Sequence, residues 1–85
     1  MAGSPLKTVT LCYYAAFREA AGVREEPWSS GARTAAELYA EIAARRGFRF
    51  DRSTLKVAVN DQVVSWETAV TDGDTVVFLA PFAGG

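Results

Sequence analysis

The residues with the most chemical promise come last: Ala83, Gly84 and Gly85 follow directly on a β-prone run, Thr75-Val76-Val77-Phe78-Leu79-Ala80. Glycine has no Cβ, so a carboxylate on Gly85 could enter a narrow channel and be approached from any side. Extended at about 3.3 Å per residue, Pro81 to Gly85 would reach roughly 16 Å beyond a folded body. A carboxylate is a poor acyl donor, because attack adds charge to an anion and must expel oxide. Conversion to an acyl-adenylate supplies a leaving group and a carbonyl open to sulfide, thiolate or amine, which is covalent catalysis with the chain end as the group carried. The alternative is a merely frayed end, as most termini are.

The other candidates are weaker. Asp72 with Asp74, or Glu25 with Glu26, could be imagined as an acid/base pair, but carboxylates in turn-like sequence are usually capping groups. Cys12 lies mid-strand with no cation or helix N-terminus beside it in sequence to lower its pKa, so a structural thiol is expected. There is no histidine and no G-x-x-x-x-G-K-[ST] loop, which excludes a Ser-His triad and nucleotide hydrolysis by this chain alone. No Cys-x-x-Cys pair is present, so no metal site is expected. Any activation of Gly85 must come from another enzyme.

Around these residues, 85 positions suffice for one small domain, 1–85, with residues 1–6 as a loose N-terminal arm and 81–85 as an extended tail. Nine basic and ten acidic side chains give a net charge of −1, which argues against nucleic acid as the main partner. The cluster Arg45, Arg46, Arg49 and Arg52 is explained by a helix C-terminus followed by a solvated loop. No apolar stretch approaches the roughly 18 residues of a membrane span, and the N-terminus lacks the features of a signal peptide, so a cytoplasmic protein is expected.

Periodicity supplies the elements. Lys7 to Tyr14 alternates, with Val9, Leu11 and Tyr13 on one face. Ala15 to Ala21 reads as a short helix stopped by Gly22, and Arg24 to Ser29 as a strand that Pro27 confines to a sheet edge. Thr34-Ala35-Ala36-Glu37 is a capping box, in which Thr34 and Glu37 satisfy one another's backbone amides. The stripe Ala35, Leu38, Tyr39, Ile42 and Ala43 follows, and Gly47 ends the helix. Leu55 to Val59 and Gln62 to Trp66 read as a hairpin about Asn60-Asp61, and Thr75 to Ala80 as the last strand after the Asp72-Gly73-Asp74 turn. One mixed sheet packed on the long helix satisfies this order, with Val9, Leu11, Val57, Val59, Val76 and Phe78 facing the helix. Val77 and Leu79 then fall on the open face, a candidate docking surface.

These residues resemble the ubiquitin-like β-grasp sulfur carriers, most closely the small subunit of molybdopterin synthase, the MoaD type. The resemblance runs from Lys7 onward and rests on Tyr14 to Gly22, Val57 to Asn60, Asp72 to Phe78 and Pro81 to Gly85. It implies an α+β, β-grasp fold and a cycle in which an E1-like, MoeB-like adenylyltransferase activates Gly85 and a sulfur donor protein converts it to a thiocarboxylate. No bound cofactor is implied, the adenylate and thiocarboxylate being transient covalent forms. The tail would then enter a pocket of the large, MoaE-like synthase subunit, with Pro81, Phe82, Ala83 and Gly84 along the channel, and give sulfur to cyclic pyranopterin monophosphate. By the same analogy Tyr14, Val63 and Leu79 form the partner-binding face. The chain departs from the family in having Ala80 where a second proline often precedes Pro81, and in Pro27 within its second strand. Carriers for thiamine or tRNA thiolation, ubiquitin-related modifiers and a β-grasp interaction module without chemistry are the alternatives.

Overall fold

In the computed structural model, which describes residues 6–80, the alternation read from sequence becomes five strands: β1 (Lys7–Cys12), β2 (Glu25–Ser30), β3 (Lys56–Val59), β4 (Gln62–Val64) and β5 (Thr75–Leu79). They form one mixed sheet in the order β2-β1-β5-β3-β4. The first and last strands lie parallel at its centre, Leu11 opposite Val76, while the other pairs are antiparallel. Two helices complete the chain, α1 (Ala15–Ala21) and α2 (Ala35–Arg46), with a 3-10 turn at Arg52–Thr54 that the apolar pattern did not signal. The weakest sequence signal, β2, does lie at the edge, with Pro27 opposite Thr10, so its missing N–H breaks no interior ladder.

Helix α2 forms because its signals agree. Thr34 Oγ1 accepts from the Glu37 amide at 3.2 Å, and Gly47 closes the last turn at φ 73°, a conformation in which a Cβ would be strained. The capping box differs from its sequence form in one respect. Glu37 reaches back to the amide of Arg33 at 2.8 Å rather than to that of Thr34. Thr34 forms an isolated bridge with Ala69, and the amides of Ala35 and Ala36 donate to the carbonyls of Thr68 and Trp66. The segment after β4 thus satisfies helix amides that would otherwise have no partner.

The apolar stripe of α2 covers one face of the sheet. Leu38, Ile42, Leu11, Val57 and Val76 are fully buried there with Phe78 and Val9, while Ala43 and Val59 are partly buried at the margin. Each such side chain contributes about 1.5–3 kcal/mol. At one end, Phe17 from α1 joins Phe48 and Phe50, with ring centroids 5.4 and 4.5 Å away, and seals the core beneath Tyr13. The hairpin turn is as tight as its sequence suggests: Asn60 and Asp61 both have positive φ, 52° and 71°, the pattern of a two-residue hairpin loop. Its return arm is shorter than expected, because β4 ends at Val64 and Trp66 turns inward to stack on Phe78.

Candidate functional site

The face of the sheet turned away from α2 carries the candidate site. Pairing of Cys12 with Val77, Val77 with Ala58 and Ala58 with Val63 makes a continuous row across four strands. Two residues further along, Leu79 lies opposite Lys56. Tyr14 follows β1 with an extended backbone, so alternation places it on the side opposite buried Tyr13 and one step beyond the Cys12 row, next to Leu79. Tyr14 and Val63 are 55% and 63% exposed, and Leu79, Val77 and Cys12 are half-buried. The three residues singled out from sequence, Tyr14, Val63 and Leu79, therefore share one apolar face with Val77 and Ala58.

Local structure fixes Tyr14 in place. Ala15 has φ 50°, a left-handed conformation unusual for a residue with a Cβ, and it turns the chain abruptly from β1 into α1. Tyr13 anchors the other side: its hydroxyl donates to Glu26 Oε2 at 2.5 Å, and Glu26 also accepts from Arg46 Nε at 3.1 Å and pairs with its terminal guanidinium nitrogen. Burial, then the Glu26 carboxylate, push the Tyr13 phenol far above its ordinary value, so it stays a neutral donor. Neither the strained Ala15 nor the Tyr13–Glu26–Arg46 link was foreseen. The Tyr13–Glu26–Arg46 link joins residues 13 and 20 positions apart, which periodicity does not encode.

Side chains that could have done chemistry are engaged otherwise. Asp72 Oδ1 accepts from the Thr8 amide at 2.8 Å, while Asp74 accepts from the Thr71 amide and from Asn60 Nδ2 at 2.8 and 2.9 Å. Burial disfavours the Asp74 anion, but these hydrogen bonds outweigh it and leave the carboxyl below the ordinary range. Both aspartates are structural caps. Cys12 is half-buried, and burial followed by the neighbouring Glu25 carboxylate raises its pKa, which keeps it a thiol. Among the described residues no group of three or more acidic, cysteine or histidine side chains could hold a metal, and no helix is long and apolar enough to cross a membrane. Gly85, Gly84, Ala83, Phe82 and Pro81 lie outside the described residues. Their point of departure is fixed by Leu79, at the Tyr14 and Lys56 end of the open face.

A mixed five-stranded sheet gripping one long helix, with its terminal strands parallel at the centre, is the ubiquitin-like β-grasp fold. The chain belongs to the ThiS family of β-grasp sulfur carriers, whose family model matches residues 11–85. Among solved structures it is similar to a Pyrococcus furiosus protein named as a putative molybdopterin converting factor, subunit 1, at 35% identity and a TM-score of 0.72, covering 85% of this chain and 94% of that one. Small archaeal modifier protein 1 from Methanosarcina acetivorans superposes with a TM-score of 0.74 over 95% of this chain and 99% of its own, at 20% identity. A protein complex of subunits 1 and 2 of molybdopterin-converting factor from Helicobacter pylori matches at 24% identity and a TM-score of 0.61, over 92% of this chain and 99% of that one. Those two likenesses show the fold alone. No curated protein sequence matches.

Proposed function

We propose that this chain is the sulfur-carrying small subunit of a molybdopterin synthase. The observation that carries the pathway is the 35% identity to the Pyrococcus furiosus protein, and the family match extending through Gly84-Gly85 supports the chemistry. An E1-like adenylyltransferase joins the Gly85 carboxylate to the AMP portion of ATP and releases pyrophosphate. A sulfide equivalent from a donor protein attacks the acyl carbon, AMP leaves, and a thiocarboxylate remains. The tail, Pro81 to Gly85, then lies in a channel of a large partner subunit and transfers sulfur to cyclic pyranopterin monophosphate, with water restoring the carboxylate. Tyr14, Val63 and Leu79 dock on that subunit through the open face. No side chain of this chain is a catalytic acid, base or nucleophile, in keeping with the capped aspartates and the protonated Cys12.

Intact mass after incubation with an E1-like enzyme, ATP and a sulfur donor tests the reading. The expected product has one oxygen replaced by sulfur, converts the pyranopterin precursor when the large subunit is added, and does not form when Gly85 is deleted. Sulfur loading of the Gly85 deletion would overturn the mechanism. Loading without precursor conversion would assign the carrier to another pathway, and an adduct on a lysine of another protein would make it a modifier.

A further inference from the structure

Beside the open face the structure holds a groove that none of the preceding chemistry uses. Strand pairing between β3 and β4 stops at Val57 and Val64, and the chain on either side diverges. Between the 3-10 turn and the residues after β4 this leaves a cleft of about 620 Å³, lined among others by Arg52, Leu55, Lys56, Ser65 and Trp66. That volume lies within the range of about 300–1,000 Å³ typical of sites for a small ligand or a few residues of peptide.

Its chemistry is specific. Val63 and Trp66 supply apolar surface, and the Arg52 guanidinium lies 5.3 Å from the centre of the Trp66 ring. Asp51 also lines the cleft, but its carboxylate accepts from the Ser53 amide and hydroxyl at 3.0 and 2.9 Å. The Lys56 ammonium makes neither a hydrogen bond nor an ion pair among the described residues, whereas that of Lys7 donates to the carbonyl of Ala32 at 2.7 Å. Two cations therefore face the cleft against the one remaining carboxylate, Glu67. A short apolar segment that ends in an anion matches this lining.

Such a segment begins next to it. Lys56 lies opposite Leu79 in the sheet, so Pro81 to Gly85 leaves the fold within two residues of a residue that lines the cleft. The cleft is at most two strand spacings away, about 10 Å, whereas five residues reach roughly 16 Å. We infer that the groove between the 3-10 turn and the end of β4 is a resting site for this chain's own C-terminal segment, with Phe82 against Val63 and Trp66 and the Gly85 carboxylate facing Lys56 and Arg52. Docking is in cis. Because Val63 and Lys56 belong to both the groove and the open face, a partner seated on that face displaces the segment into its own channel.

This inference rests on Gly85 bearing the terminal carboxylate, as the sulfur-carrier reading does, and intact mass of untreated protein checks that point separately. The test compares amide and indole NMR spectra of the full chain with those of the chain lacking residues 81–85, over a range of protein concentrations. Deletion should shift Leu55, Lys56, Ser65 and the Trp66 indole by the same amount at every concentration. In the full chain the Gly85 carboxylate should titrate at lower pH than in the Arg52→Gln, Lys56→Gln double variant, a difference no structural role of these residues would produce. Shifts confined to Leu79 and Ala80, equal titration in parent and variant, or shifts that grow with concentration would each overturn docking in cis. None of these outcomes bears on sulfur loading, so the two readings can fail independently.

Discussion

The two faces of the sheet are built from the same strands and meet opposite fates. On the side of α2, Val9, Leu11, Val57, Val76 and Phe78 are at most 1% exposed. On the opposite face, Cys12, Val77 and Leu79 are half-buried and Val63 is 63% exposed, with no helix or strand among the described residues over them. Apolar content alone does not separate the faces. What separates them is whether the chain carries a complementary surface: the stripe of α2 covers the first face, and the second presents a contiguous apolar patch of the kind that marks interaction sites. The covered and the open apolar faces are thus encoded in one alternation, on opposite phases.

That contrast can be broken from either side. The largest effect on stability is expected from Ile42→Ala, which removes buried methylenes from the covered face and should cost about 2–5 kcal/mol, read as a lowered melting temperature or denaturant midpoint. An unchanged midpoint would show that α2 is not what closes the core. Leu79→Glu on the open face should do the reverse. Stability stays within about 0.5 kcal/mol while association with the large subunit proposed as partner, measured by calorimetry, weakens by roughly 2 kcal/mol or more. Equal affinity for parent and variant would remove the open face as the docking surface.

A third prediction sharpens the boundary between the faces, where Asp74 ties the start of β5 to Asn60 and Thr71. Its folded pKa lies below the unfolded value, so its contribution is fully present above the unfolded value, near pH 4, and is lost as pH falls through the folded one. Asp74→Asn should cost about 1–3 kcal/mol at neutral pH, since an amide nitrogen must then face one of two donors, and should flatten the acid limb of the stability curve. An acid limb unchanged in the variant would assign that limb to other carboxylates. The smallest effect is expected from Cys12→Ala, within about 0.5 kcal/mol in stability, with sulfur loading retained. Loss of loading in that well-folded variant would make the carrier a thiol.

Much of this architecture is legible in the sequence because local signals coincide with global ones. Around α2, the Thr34 cap, the stripe and Gly47 all specify the same twelve residues. Asn60-Asp61 and the alternation of β5 are equally explicit. The unforeseen features have partners distant in the chain. Phe48 and Phe50 enter the core from a loop with no period to announce them, Glu37 finds Arg33 because Thr34 bridges to Ala69, and Trp28 donates to Glu41 across the edge of the sheet at 3.1 Å. Tyr14, Val63 and Leu79 could be placed on one face from alternation and resemblance together. The cleft beside them could not, since it arises where pairing of β3 with β4 ends and Trp66 turns to Phe78, a register fact rather than a pattern.

The position of β5 has a consequence for synthesis. Because β1 and β3 meet only through this last strand, a nascent chain that has reached Val70 owns both helices and two separate antiparallel pairs, β1 with β2 and β3 with β4, but no continuous sheet. Pairings between the first and last strands are the slow, non-local kind, and a domain of this topology folds as a unit rather than from its N-terminus onward. Ribosomal products that stop before Leu79 leave the central slot of the sheet empty and remain substrates for proteolysis. A folded copy therefore certifies that translation has passed through β5, and any enzyme that recognises the folded surface is spared chains truncated before that strand.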